Sequence, residues 1–186
     1  MNALPDLRAI AERAIHLDAD KQELFLTRLA ERGFDVALLP IVARTATGAP
    51  TPLSFAQRRL YLVERTSSQA LYNLTSGLVL DGDLDVDALR GALDAIVARH
   101  DILRTVYREV DGVPQQSVLP AASLALVAQP LAGDVDAALR RRLHALASTP
   151  FALDRDAPLR VELYSLGEGR HALVWCVHHI AFDAWS

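Results

Sequence analysis

Two adjacent histidines, His178 and His179, with Asp183 four residues further on, are the side chains whose types and spacing could do chemistry in this sequence. They end the segment His171-Ala172-Leu173-Val174-Trp175-Cys176-Val177-His178-His179-Ile180, which is apolar in both registers. Such a run reads as a central strand covered on both faces. Successive strand residues point to opposite faces, so the two imidazoles cannot easily share one metal ion. A single histidine in a buried strand is ordinarily a hydrogen-bonded core residue. Two at a strand end, where the chain opens into a loop, shift the balance towards function. A neutral imidazole, with an ordinary pKa of roughly 6.5, suits a general base at neutral pH. Other chemistries fare poorly. The chain has no Walker A loop, no GxGxxG and no CxxC, and Ser186 lacks a nucleophile elbow. Its single cysteine, Cys176, excludes an internal disulfide framework and any multi-cysteine zinc site.

The elements that must position these histidines follow from pattern. Pro5 to Leu17 and a second stretch opened by Asp20, with Glu23 in a capping box and Gly33 as the stop, read as two short helices. Residues 41–52 lack a period and are rich in Thr, Ala, Pro and Gly, so they read as a linker. Ser54 and Gln57 form a second capping box, opening a helix to Glu64. Alternation then predicts a strand over Leu71–Leu80 and an Asp85-capped helix to about His100. Strands over Leu103–Val110 and Pro114–Leu119 flank the Asp111-Gly112 turn. A strand is expected over Leu124–Ala128, and a helix from Asp134 or Asp136 to Ala147. A hairpin of Pro158–Leu166 and Arg170–Ile180 turns at Gly167-Glu168-Gly169. The expected class is α+β, with helices packed on a mixed sheet in two layers. Trp175 is expected in the core, Arg104 as a structural anchor and His100 as a helix-end residue. Arg140, Arg141 and Arg142 fan out on their helix and are expected to be solvated.

The 186 residues carry a net charge of −4 and are 51% apolar and 23% charged, a globular composition that is neither disordered nor basic. Nucleic acid is therefore not an expected partner. No run of about 18 apolar residues stands in the sequence, so no membrane span is expected. The single cysteine fits a reducing, cytoplasmic setting.

Against this background the residues His178-His179-Ile180-Ala181-Phe182-Asp183-Ala184 resemble the HHxxxDG signature of condensation domains from nonribosomal peptide synthetases. Ser54-Phe55-Ala56-Gln57-Arg58-Arg59-Leu60-Tyr61-Leu62-Val63 is similar to the family's first motif, SxAQxRLW/YxL. Arg99-His100-Asp101-Ile102-Leu103-Arg104-Thr105-Val106-Tyr107 is similar to the second, RHExLRTxF. The three stand in order across residues 54–186. The stretch from Glu31-Arg32-Gly33-Phe34 to Pro40-Ile41 resembles the lead-in often found before such domains.

The resemblance implies the N-terminal half of a chloramphenicol-acetyltransferase-like fold over residues 53–186, with residues 1–40 as a helical lead-in or a docking segment for an upstream synthetase. It implies amide formation between a donor thioester and an acceptor amine. Both are delivered on phosphopantetheine arms by donor and acceptor carrier proteins, and no cofactor is bound by the domain itself. His179 would position or deprotonate the amine. His178 and Asp183 would be structural, with Arg59 the expected bidentate partner of a buried Asp183 carboxylate. Ala184 stands where the signature has glycine, adding a methyl at the expected tunnel constriction. The C-terminal half expected of the family is absent from the 186 residues, so an exposed apolar surface and an inactive fragment are expected. Two rival readings stay open: an epimerization or acyltransferase relative with the same HHxxxD core, and a non-catalytic module that recruits carrier proteins or enzymes.

Overall fold

A computed structural model of the chain describes residues 6–43, 50–67, 69–131 and 133–183. The chain divides into two compact units, Met1–Thr47 and Gly48–Ser186.

The first unit holds helices α1 (Leu7–Ile15) and α2 (Ala19–Glu31), followed by one 3-10 turn over Val36–Leu38. Asp6 caps α1 by accepting from the amides of Arg8 and Ala9. The cap of α2 is Asp18, whose carboxylate accepts from the Lys21 amide at 3.0 Å, and not the expected Asp20. Asp20 lies inside the first turn, where a negative charge favours the helix dipole without capping it. Gly33, at φ +83°, ends the helix as expected.

In the second unit, β1 (Thr51–Pro52) opens the chain as a two-residue strand, within the stretch that read as a linker. Residues 44–49 of that stretch lie outside the described residues. Helix α3 (Phe55–Thr66) starts at the expected capping box. The Ser54 hydroxyl accepts from the Gln57 amide at 3.2 Å, and the Gln57 side chain accepts from the Ser54 amide at 3.0 Å. Then come β2 (Asn73–Asp81), α4 (Val86–Arg99), β3 (Thr105–Val110), β4 (Val113–Val118), β5 (Ala128–Pro130), α5 (Val135–Ser148), β6 (Leu159–Gly167) and β7 (Arg170–His178). Asp85 and Asp134 cap α4 and α5. At the tips of the two hairpins, Asp111-Gly112 and Glu168-Gly169 place both central residues at positive φ, the turn that matches strand twist.

The strands form a mixed sheet in the order β2-β7-β6-β5, and a separate three-stranded sheet in the order β1-β4-β3. In the mixed sheet only β5 and β6 run parallel. Strand β5 starts later than the expected 124–128. The Asp94 carboxylate takes the Leu124 amide at 2.7 Å and the Ser123 hydroxyl at 2.5 Å, so this stretch is tied to α4 and kept out of a ladder.

Strand β7 is central, and its two faces belong to two clusters. Ala172, Val174, Cys176 and His178 are all buried; the first three pack with Tyr61 of α3, Tyr107 of β3 and Leu146 of α5. Leu173 packs on the other side with Leu163 and Leu126, against Leu89 and Leu93 of α4. Trp175 is half-buried on this second side. A groove of about 320 Å³ opens there, with Leu78, Ile96, Trp175, Val177 and Phe182 among its walls. Leu78, Ile96 and Phe182 are exposed, so the expected apolar surface is present.

Asn73 ties the start of β2 to the end of α5, donating to the carbonyls of Leu146 at 3.1 Å and Thr149 at 2.8 Å. Gly77, opposite Val174 in the β2–β7 ladder, permits close approach: a Cβ there would stand 2.9 Å from Val174 Cγ1 and 3.2 Å from the Leu173 carbonyl oxygen. Val174 is buried, and the second close atom is fixed backbone. Gly77→Ala is therefore expected to destabilise the fold by about 1–3 kcal/mol, read as a lowered urea midpoint at unchanged slope.

Candidate active site

The end of β7 gives the two histidines different surroundings: His178 is its last residue and His179 the first beyond it. His178 is fully buried, edge-on to the Phe151 ring with centroids 5.9 Å apart, and to Tyr72 at 6.2 Å. Its amide donates to the Pro158 carbonyl at 2.9 Å, and its own carbonyl accepts from the Ala181 amide at 2.9 Å. Its Nδ1 accepts from the Ile180 amide at 3.1 Å. An Nδ1 that accepts carries no proton, so the neutral ring bears its proton on Nε2. Burial, followed by the neighbouring His179, pushes the His178 pKa down to about 4, and the ring is neutral at physiological pH.

His179 is half-buried and has the opposite tautomer. Its amide donates to the Tyr72 carbonyl at 2.8 Å, fixing the backbone. Its Nδ1 lies 2.6 Å from the Phe182 carbonyl oxygen. A carbonyl only accepts, so Nδ1 carries the proton, and Nε2 of the neutral ring is left with its lone pair. A groove of about 380 Å³ lies beside it, lined by Ser54, Gln57 and Leu60 of the α3 region and by His179, Phe182 and Asp183. The first and third motifs of the sequence thus meet at one groove.

Asp183 is exposed, and so is Arg59 on α3, which corrects the expectation of a buried Asp183 carboxylate. Ala184 lies outside the described residues. Arg104 is an anchor: its guanidinium donates to the Leu119 carbonyl and pairs with Asp101, holding the turn before β3. His100 ends α4 and takes no part in the site. Arg142 corrects the picture of three solvated arginines, since it pairs with Glu162 and donates to Tyr164 Oη at 2.6 Å.

Sequence reasoning missed Glu64. It is 8% exposed, three residues after buried Tyr61 on the same face of α3, and its Oε2 lies 3.6 Å from His178 Nε2. Burial pushes its pKa up. The available signal was an acidic residue at the spacing of the apolar stripe.

The low pKa of His178 has a consequence for stability. Between pH 6.5 and 4 the unfolded chain takes up a proton on this histidine that the native ring refuses. Stability is therefore lost as pH falls through that window. Going from pH 7.5 to 5, this group's share of the loss is expected to be about 2 kcal/mol. Urea unfolding at the two pH values checks it: His178→Gln should flatten the pH dependence by that amount.

A family model for the condensation domain matches residues 49–186. Isonitrile lipopeptide synthase of Mycobacterium tuberculosis is 40% identical over 151 residues, covering 79% of this chain and 6% of the synthase. Among solved structures, the X-domain in its complex with OxyB from teicoplanin biosynthesis superposes at TM-score 0.64 with 37% identity, covering 74% of this chain and 29% of that one. The first condensation domain of the calcium-dependent antibiotic synthetase, with a bound substrate analogue, superposes at TM-score 0.62 with 29% identity, covering 70% and 33%. The chain thus spans about a third of these solved chains and a small fraction of the whole synthase. With its ordered motifs meeting at the His179 groove, this chain belongs to the condensation-domain family of nonribosomal peptide synthetases.

Proposed function

We propose that the chain supplies the histidine half of a catalyst that joins a carrier-bound acyl, aminoacyl or peptidyl donor to a carrier-bound aminoacyl acceptor. The observation that carries this reading is the His179 Nδ1 contact with the Phe182 carbonyl, which in the neutral ring puts the lone pair on Nε2, beside an open groove. The acceptor nitrogen attacks the thioester carbonyl carbon and forms the C–N bond. Nε2 takes the proton that the nitrogen loses. The C–S bond breaks, and the proton passes to the departing pantetheine thiolate. Charge and atoms balance without a cofactor on this chain, since both substrates arrive on the arms of donor and acceptor carrier proteins. A cytoplasmic setting suits free thiols. Among the described residues no helix is long and apolar enough to cross a membrane.

A second reading is a module that keeps the fold and recruits an enzyme. It is favoured by the likeness to an X-domain seen in complex with OxyB, and by Ala184 in place of the signature glycine.

One assay separates the two. The chain is extended by the downstream half that its relatives carry, and amide product on the acceptor carrier is followed by intact-protein mass spectrometry. His179→Ala is expected to lower the rate by about 10²- to 10⁴-fold. Ala184→Gly, which restores the residue of the family signature, is expected to raise it. A folded wild-type protein that makes no amide with verified loaded carriers would replace the catalytic reading by the recruiting one.

A further inference from the structure

Beside the two histidines the structure leaves two buried polar atoms near each other. His178 Nε2 and Glu64 Oε2 both lack a hydrogen-bond partner, at a separation of 3.6 Å. The His178 side chain is 0% exposed and that of Glu64 is 7% exposed. Orphaned polar atoms at such depth are rare in folded proteins, and each is costly to leave unmade. The separation is roughly 0.6 Å beyond a normal N–H···O bond of about 3.0 Å. A small rotation of the Glu64 side chain closes it. The direction of the bond is already settled. Because the Ile180 amide occupies His178 Nδ1, the ring proton sits on Nε2, and Glu64 Oε2 can only accept.

We propose that Glu64 is a positioning residue for the base: its buried carboxyl group accepts the His178 Nε2 proton and, through that ring and the 178–181 turn, keeps His179 Nδ1 on the Phe182 carbonyl. The path is short, and every link after the 3.6 Å approach of Glu64 to His178 is a hydrogen bond in the structure. Glu64 fixes the rotation of the His178 ring. That ring takes the Ile180 amide, and the His178 carbonyl takes the Ala181 amide at 2.9 Å. The two bonds fold the chain back after β7, which brings the Phe182 carbonyl within 2.6 Å of His179 Nδ1. Helix α3, which also lines the groove through Ser54, Gln57 and Leu60, thus holds the base as well. The low pKa of His178 agrees with a ring that donates from a neutral state.

The catalytic meaning of this assignment rests on the condensation reading; the geometry does not. Two measurements keep them apart. The first is histidine ring nitrogen NMR on the chain itself at pH 7. Wild type is expected to show His178 as the Nε2–H tautomer with a slowly exchanging ring proton, and His179 as the Nδ1–H tautomer. Glu64→Ala should speed exchange of the His178 ring proton at least tenfold and let the His179 ring average between tautomers. Glu64→Gln, whose amide oxygen still accepts, should keep both tautomers while shifting the His178 Nε2 resonance. A folded Glu64→Ala with both wild-type signatures, a wild-type His178 protonated on Nδ1, or a Glu64→Gln that leaves Nε2 unmoved would each overturn the proposal. If Glu64→Ala does not fold, the wild-type tautomers and the Gln variant still decide. The second is amide formation in the extended protein. Glu64→Ala is expected to lower kcat by about 10- to 100-fold at unchanged KM, with Glu64→Gln restoring most of it; an unchanged kcat in a folded Glu64→Ala overturns the catalytic part of the proposal. A wild type that shows the expected tautomers yet makes no amide would remove the condensation reading and leave the positioning of His179 by Glu64 standing.

Discussion

The buried ring of His178 is the constraint on which the rest of the site depends. A polar side chain with no access to water must find its partners inside the protein. Here it takes the Ile180 amide, and its own backbone takes partners at Pro158 and Ala181. Those bonds turn the chain sharply once β7 has ended. The turn puts the Phe182 carbonyl against the Nδ1 of His179. Two neighbouring residues of identical chemistry thereby receive opposite tautomers. His178 carries its proton on Nε2, and the neutral His179 ring keeps its lone pair on Nε2.

That division works only if the strand cannot shift. A base must be held within about half an ångström of its working place by groups that are themselves held. Strand β7 has a nine-residue antiparallel ladder with β2 on one side and a second antiparallel ladder with β6 on the other. Gly77 lets β2 lie close against Val174. Asn73 then ties the β2 end of the ladder to the last turn of α5, a few residues before Phe151, whose ring packs on His178. The fold surrounds one end of one strand with bonds from β2, α5 and the 150–158 loop.

Much of this was legible in the sequence because it depends on local chemistry. Ser54 with Gln57, Asp85 and Asp134 announce helix starts through side-chain bonds to amides two or three residues away. The Asp111-Gly112 and Glu168-Gly169 turns announce hairpins because few residues accept their dihedral angles. What was illegible depends on distant partners. Asp18 and Asp20 are equally good caps on paper, and the path of the backbone chooses between them. The 124–128 stretch has a strand's composition, yet Asp94, thirty residues earlier, takes its amide. Arg142 is exposed by helical geometry alone but finds Glu162 across the sheet. Glu64 is a surface residue by type and a buried one by position, and no local rule brings it to a histidine 114 residues away.

The openness of the His179 groove sets the remaining chemical problem. A base that can deprotonate an amine can also deprotonate water, and a thioester is open to both. Position alone does not separate them, because His179 is half-buried and Phe182 beside it is exposed. On the proposed amide-forming reading, selectivity for the amine would demand that the groove be covered while substrate is bound, so that the nitrogen is the only nucleophile near the carbonyl. The rim has the composition for this: Phe182 lines both the polar groove at His179 and the apolar groove of Leu78, Ile96 and Trp175. Apolar surface removed from water there contributes roughly 25 cal/mol per Å² towards closure. The same covering would lower the local dielectric and strengthen the His179–Phe182 bond that keeps Nε2 available. On that reading, protection from water and preservation of the base are one physical requirement, and they converge on Phe182.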